Sequence, residues 1–327
     1  QAYLKASNTT AVDRFGWSFA FSCNTLAVGA TGDNSSASGV TRNQSDTDAQ
    51  ASGAVYVFVR NGTTWSQQAY IKASNTGTFD VFGWSLDLDG DTLIVGARGE
   101  DSNATGVNGD QNNELALNSA GAAYVFVRSG TTWTQQAYLK ASNTEGGNPD
   151  GDQFGWVVSV SGNTAVVGAR DEDSNATGVN GNQANNSAIG AGAAYVFLRT
   201  GTSWAQQAYL KASDTWEGDQ FGTSVAAAGD NVFVGAYQED SNATGLNGHQ
   251  TNNVALSAGA VYHFFRNGGV WAQHNYIKAS NTDAIDLFGG FLAADGDTAL
   301  VGAIGEASNA TGVNGDQLNN FAQTAGA

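Results

Sequence analysis

Three stretches of this chain set oxygen-bearing side chains at alternate positions ahead of a glycine: Asp101, Asn103 and Thr105; Asp173, Asn175 and Thr177; Asp240, Asn242 and Thr244. Alternating oxygens followed by a glycine for a sharp turn is how the first half of a calcium loop wraps its ion. The bidentate Glu that closes such a loop at its twelfth position is missing, with Asn112 or Ala184 there instead. Completion of a site falls to Asn108, Asp110 or a neighbouring loop. These residues are the candidate metal ligands, and Ca2+ is the ion their chemistry implies. The same spacing has a second reading without metal, in which Asp and Asn build Asx turns around the glycines. A further copy has Ala307 for the first acid but keeps Asn309 and Thr311, and the first copy degrades to Asn34, Ser36 and Ser38.

Other residues with chemical potential are sparser. A second acid stands two residues before each of five Phe-Gly pairs: Asp13, Asp80, Asp152, Asp219 and Asp286. Either it adds a carboxylate to a shared site, or it accepts backbone N–H groups at a strand entry, the reading favoured for a buried turn. Asn-Ala-Thr at Asn103, Asn175, Asn242 and Asn309 also spells an N-glycosylation acceptor. Trp216, in a loop and out of step with the other tryptophans, is the candidate for stacking on a sugar or partner. Catalysis finds little support, and the chain reads as a non-enzyme. His249, His263 and His274 occupy unrelated positions, and no nucleophile elbow, His-Glu-x-x-His or phosphate loop is present.

The elements that position these residues come from a repeat. Tyr-(Leu/Ile)-Lys-Ala-Ser recurs at Tyr3, Tyr70, Tyr138, Tyr209 and Tyr276, at spacings of 67, 68, 71 and 67. Phe-Gly recurs at Phe15, Phe82, Phe154, Phe221 and Phe288, and Val-Gly-Ala has its glycine at 29, 96, 168, 235 and 302. Gly-Ala-(Ala/Val)-Tyr recurs at Gly53, Gly121, Gly192 and Gly259. One copy reads as four short strands: 82–89, 92–97, 122–128 and 133–140. Each is alternating or apolar, rich in Val, Tyr, Phe or Trp, and bounded by glycine. Asn61-Gly62 and Asn267-Gly268 sit where two-residue hairpins favour positive φ. The long connection between second and third strands holds the oxygen triplets, and a loop of that length in a compact unit is functional or held by something. Regular placement of Trp17, Trp84 and Trp156 on the first strand, and of Trp65, Trp133, Trp204 and Trp271 on the fourth, predicts packing between units.

Repeated units of four antiparallel strands predict an all-β propeller. The whole chain, 1–327, reads as a single propeller of five units, at 1–67, 68–135, 136–206, 207–273 and a truncated 274–327. The combination of Phe-Gly-x-Ser, Val-Gly-Ala and Gly-Ala-Val-Tyr-Val-Phe resembles the FG-GAP repeat, which builds the propeller of integrin α-subunits and of many bacterial surface proteins. The resemblance implies an extracellular or cell-surface binding or adhesion module, with a protein or glycan partner on the long-loop face. Two departures stand out. The proline of Gly-Ala-Pro is replaced by Thr31, Arg98, Arg170, Tyr237 and Ile304. The integrin-type calcium loop between first and second strands is shortened to a turn such as Asp89-Gly90-Asp91, so calcium sites of that kind do not transfer.

Composition narrows the classes. Lys plus Arg is 13 against 30 Asp plus Glu, a formal charge of −17, which argues against a nucleic-acid partner or an anionic membrane surface. No apolar run is long enough to span a bilayer. Glycine numbers 43 with one proline, Pro149, and the single cysteine, Cys23, allows no internal disulfide. Opening inside a motif and without Met, the chain reads as a processed or excised piece. Its last unit stops at the start of a third strand, an arrangement that invites self-association by strand addition. Two other functions therefore stand beside the adhesion module: a structural subunit of a surface array or filament, and a carbohydrate-binding lectin.

Overall fold

The computed structural model describes residues 2–41, 43–113, 117–146, 151–322 and 324–327; Pro149 lies outside them. Among the described residues there are nineteen β-strands and no α-helix. In the first repeat these are β1 (Phe15–Ser22), β2 (Thr25–Ala30), β3 (Val40–Thr41), β4 (Ala54–Asn61) and β5 (Thr64–Ile71). The second has β6 (Ser85–Asp89), β7 (Thr92–Ala97), β8 (Ala122–Ser129) and β9 (Thr132–Leu139). The third has β10 (Val157–Ser161), β11 (Thr164–Ala169), β12 (Ala193–Thr200) and β13 (Ser203–Leu210). The fourth has β14 (Phe221–Ala228), β15 (Asn231–Ala236), β16 (Ala260–Asn267) and β17 (Val270–Ile277), and the fifth has β18 (Phe288–Asp295) and β19 (Thr298–Ala303). Repeats two to four are four-stranded sheets ordered as in the chain; β18 and β19 make a two-stranded sheet. The expected all-β class of propeller-blade units is what forms. The chain divides into two compact units, one of Gln1–Val167 with Phe197–Gln207, the other of Gly168–Val196 with Ala208–Ala327.

Within the first unit, β7 is buried at every position, and β8 is buried from Ala122 to Phe126. A strand buried on both faces has no polar alternate, which is why Thr-Leu-Ile-Val-Gly-Ala reads as a run rather than an alternation. Phe82 packs edge-on to Tyr124 and Phe126, ring centres 5.3 and 6.1 Å away. In the second repeat the first strand begins later than the sequence pattern implies, since β6 starts at Ser85, whereas β1, β14 and β18 begin at the Phe itself. Gly83 and Trp84 turn in first, with both N–H groups donating to the Gly96 carbonyl.

The two glycine motifs lock consecutive repeats together. Phe154 N–H donates to the Ala120 carbonyl at 3.1 Å, and Gly121 forms a parallel bridge with Phe154. Gly121 has φ +80°, and a Cβ there would lie 2.0 Å from the Phe154 carbonyl oxygen. Only glycine fits, on both counts. The second unit repeats the arrangement with Gly192 and Phe221 and with Gly259 and Phe288.

Candidate functional site

The long loops start from a buried ionic clamp. In the second repeat, Glu100, Ser102 and Lys140 are completely buried. Lys140 Nζ lies 2.6 Å from Glu100 Oε2 and donates to the Ser102 carbonyl at 2.8 Å. Tyr138 Oη and Asn75 Nδ2 both donate to Glu100 Oε1, at 2.6 and 2.8 Å, and Tyr124 Oη donates to Asn75 Oδ1 at 2.6 Å. Every charge and donor here has a partner, which a dry ion pair requires. The third repeat places Lys211 and Tyr209 on Glu172, at 2.8 and 2.7 Å, and the fourth places Lys278 and Tyr276 on Glu239, at 2.7 and 2.8 Å.

The first repeat builds the clamp with a shorter acid. Asp33 accepts from Tyr70 at 2.8 Å, Lys72 at 3.1 Å and Ser35 N–H at 3.1 Å, and from Tyr56 at 3.1 Å. Burial raises its carboxyl, but the Lys72 charge and these donors outweigh that and hold it below the usual range. Burial also pulls the Lys72 ammonium below the ordinary lysine value, opposed by Asp33.

From this anchor the loop runs back along the outer strand. Val107 bridges Leu139, Val179 bridges Leu210, and Leu246 bridges Ile277, at the place where the first repeat forms the β3–β5 pair. Asn108, at φ +54°, exchanges bonds with Tyr138: its N–H donates to the Tyr138 carbonyl at 2.8 Å and its Oδ1 accepts the Tyr138 N–H at 2.9 Å. The long connection is thus a belt that covers an otherwise open sheet edge.

The residues singled out for calcium fall along this belt. Asp101 Oδ1 accepts the Ser119 N–H at 2.8 Å, Asp173 Oδ1 the Gly190 N–H at 2.8 Å, and Asp240 Oδ1 the Ser257 N–H at 2.7 Å. The neutral Asn34 does the same in the first repeat, accepting Ala51 N–H at 2.8 Å. Burial raises the Asp101 and Asp173 carboxyls. Past Asp101 exposure alternates, with Ser102 and Ala104 buried and Asn103 and Thr105 exposed; Ser174, Ala176, Asn175 and Thr177 follow suit, and Asn242 and Thr244 are also exposed. Asn103 Oδ1 accepts from Asn113 at 2.6 Å, and Asp110 Oδ1 folds onto Asn112 at 3.0 Å. Among the described residues, no three His, Cys, Asp or Glu side chains are grouped to hold a metal ion.

The acids before Phe-Gly accept backbone N–H groups: Asp80 from Gly77 at 2.7 Å, Asp219 from Trp216 at 3.0 Å, and Asp286 from Asp283 at 2.8 Å. Trp216 itself is 49% exposed. The first-strand tryptophans form a ladder, with Trp17 to Trp84 at 4.8 Å and Trp84 to Trp156 at 5.1 Å. Arg98, at the position of the missing proline, lies 4.0 Å over Trp84 and 5.4 Å over Trp156. On the fourth strand, Trp133 Nε1 donates to Gln68 at 2.9 Å and Trp204 Nε1 to Gln136 at 2.8 Å, tying one repeat to the previous one as expected.

The clamp and the belt lie outside the repeat motifs and the oxygen triplets, yet the clamp leaves a signal in the sequence. Lys140 shares a strand face with the buried Tyr138, and an acid opens every long loop, at Asp33, Glu100, Glu172, Glu239 and Glu306. A charge on a buried face requires a buried partner.

Four-stranded antiparallel units joined through Phe-Gly and Gly-Ala contacts define a protein of propeller-blade repeats. The FG-GAP repeat model matches residues 1–58, 65–126, 133–197, 204–264 and 271–316, and the chain belongs to that repeat family. No match is found among curated proteins. No helix among the described residues is long and apolar enough to cross a membrane.

Proposed function

We propose that this chain is a non-catalytic, extracellular binding module that presents its long loops to a protein or glycan partner. The observation that carries this reading is the division of labour within each loop. The base is fixed by a dry clamp, while Asn103, Thr105, Asp110, Asn175, Thr177, Asn242 and Thr244 face solvent. Exposed polar groups on a rigid frame are what recognition surfaces are made of. The buried loop acids support the non-catalytic part, since Glu100, Glu172 and Glu239 are each taken up by a lysine and a tyrosine. Calcium belongs to this reading as a ligand of the exposed loop oxygens, supported by the alternate spacing and the charge of −17.

The test is a binding screen of the intact chain on arrayed glycans and immobilised extracellular-matrix proteins, with the N103A/N175A/N242A variant alongside. The proposal expects a hit that the variant loses at unchanged melting temperature. A hit retained in full by the variant refutes the loop face as the binding surface. Calcium at the loops is tested with D101N/D173N/D240N, which is expected to remove any calcium-dependent rise in melting temperature.

A further inference from the structure

The fourth repeat carries a polar row where its sister repeats are apolar. On β16, His263 stands where the first three repeats have Val57, Val125 and Val196; on β17, Asn275 stands where they have Ala69, Ala137 and Ala208. The two are directly opposed across the β16–β17 pair, and Phe233 of β15 stacks on the imidazole with ring centres 4.5 Å apart. His263 Nε2 lies 2.9 Å from Asn231 Oδ1, and His263 Nδ1 lies 3.2 Å from Asn275 Nδ2. Asn275 Oδ1 in turn accepts from Asn247 Nδ2 at 3.1 Å. Asn247 belongs to the long loop. Its Oδ1 accepts the Tyr276 N–H at 2.9 Å, its own N–H donates to the Tyr276 carbonyl at 2.7 Å, and beside it Leu246 bridges Ile277. A row of hydrogen bonds thus runs from β15 across β16 and β17 to the belt.

The direction of every bond in the row is set from the belt end. A backbone N–H can only donate, so Tyr276 claims the Asn247 oxygen and turns the Asn247 amide toward Asn275. Asn275 then gives its oxygen to Asn247 and its amide to the imidazole. His263 Nδ1 is left as the acceptor, with the ring proton on Nε2 aimed at Asn231. Only the neutral ring completes this row. A proton added at Nδ1 sets two donors face to face, which costs the bond and leaves both groups unsatisfied. Turning Asn275 over moves the conflict to Asn247, and turning Asn247 over sets its amide against the Tyr276 N–H. The conflict ends at the belt.

Few charges surround the ring. From β17, His274 has its ring centre 5.4 Å away. β15 has no ionisable side chain, and β18, packed against β16, has only Asp295, its last residue. On β16 itself Arg266 is held by Asp230 at 2.6 Å, and Tyr262 and Tyr276 point to the other face of the sheet. In the loop, His249 is turned to Thr251 at 3.2 Å. Burial first, and then the His274 charge, lower the His263 imidazole below its ordinary value, so the folded repeat favours the neutral ring.

We propose that His263 is a pH latch on the fourth long loop: the neutral ring holds the belt to β17 through Asn275 and Asn247, and protonation at Nδ1 releases it. The latch concerns the hold on the loop and stands whether or not that loop face binds a partner. The sister loops, with valine and alanine in the row, lack it. A base held low in the closed loop leaves the hold intact above its free value of about 6.5 and weakens it below, so pH 5.5 favours release about tenfold over pH 7.5.

The experiment is hydrogen–deuterium exchange of the full chain at those two pH values, corrected for the intrinsic pH dependence of exchange. Protection of the amides of Asn247 and Tyr276 is expected to fall about tenfold at pH 5.5, while the belts at Asn108 and Asn180 keep theirs. H263V/N275A, which writes the sister pair into the fourth repeat, is expected to abolish the change. H274Q, which writes the sister glutamine, is expected to keep it. Nitrogen NMR of the wild-type imidazole at pH 7.5 is expected to show the proton on Nε2, a readout that needs no variant to fold. A wild-type change under twofold, an equal loss in all three belts, a change that survives in H263V/N275A or vanishes in H274Q, or a proton on Nδ1 at pH 7.5 overturns the proposal.

Discussion

Replacing Lys72 by Met removes the cation from a carboxylate that has no access to water. Asp33 is 1% exposed and Lys72 fully buried, with 3.1 Å between Nζ and Oδ1. Methionine fills much of the lysine stem, so cavity formation is a minor part of the cost. Losing one partner of a buried pair costs about 3–5 kcal/mol. The tyrosine hydroxyls of Tyr56 and Tyr70 and the Ser35 N–H remain on Asp33, which places the expected loss near the lower end, at about 3 kcal/mol at neutral pH. Its sign with pH follows from Asp33. In the native protein its folded pKa is depressed, so it stabilises above its unfolded value, and that contribution is lost as pH falls through the folded value. Without Lys72, burial is opposed by neutral donors alone and the folded value rises. Ionised Asp33 then opposes folding, and the K72M penalty grows from about pH 4.5 to pH 7. Urea unfolding followed by tryptophan fluorescence at both pH values measures this, with K72M/D33N as the paired control. The double variant is expected to be more stable at neutral pH than K72M alone. A K72M loss under about 1 kcal/mol at pH 7, or one identical at the two pH values, refutes the clamp argument.

Cys23 sits at φ +54°, where the equivalent turns use Gly90, Gly162, Gly229 and Gly296. C23G is expected to stabilise by about 1 kcal/mol, read as a higher melting temperature. Gly121 admits no side chain, so G121A is expected to cost more than about 3 kcal/mol in urea unfolding; a shift under 1 kcal/mol contradicts the close approach to Phe154. Asp219, raised to about 8, stabilises in its protonated form below the unfolded value near 3.9 and loses that contribution as pH rises through about 8. In chelated buffer, D219N is therefore expected to flatten the decline of stability between those limits, and an unchanged pH profile counts against the shift.

What the sequence discloses depends on range. Strand and turn signals act over a few residues, so the second to fourth strands are legible within a residue or two. The first strand of the second repeat is not, because Gly83 and Trp84 turn toward the Gly96 carbonyl before pairing begins. The tryptophan ladder is legible as packing because all three rings share one register. The clamp joins Lys140 to Glu100, and neither neighbourhood names the other. The oxygen triplets read as a wrapping loop, yet alternate spacing equally suits a segment whose side chains alternate between buried and exposed, as Ser102, Asn103, Ala104 and Thr105 do.

The chain has five lysines, and four of them, Lys72, Lys140, Lys211 and Lys278, are sealed in clamps, while Lys5 is exposed. In the native protein an amine-directed reagent therefore meets one reactive side chain. Each sealed lysine becomes modifiable only when its own repeat opens, so the rate of acylation at each site, read by peptide mass, gives the opening free energy of four repeats in one experiment. The clamps thus make the chain its own residue-resolved record of where unfolding starts.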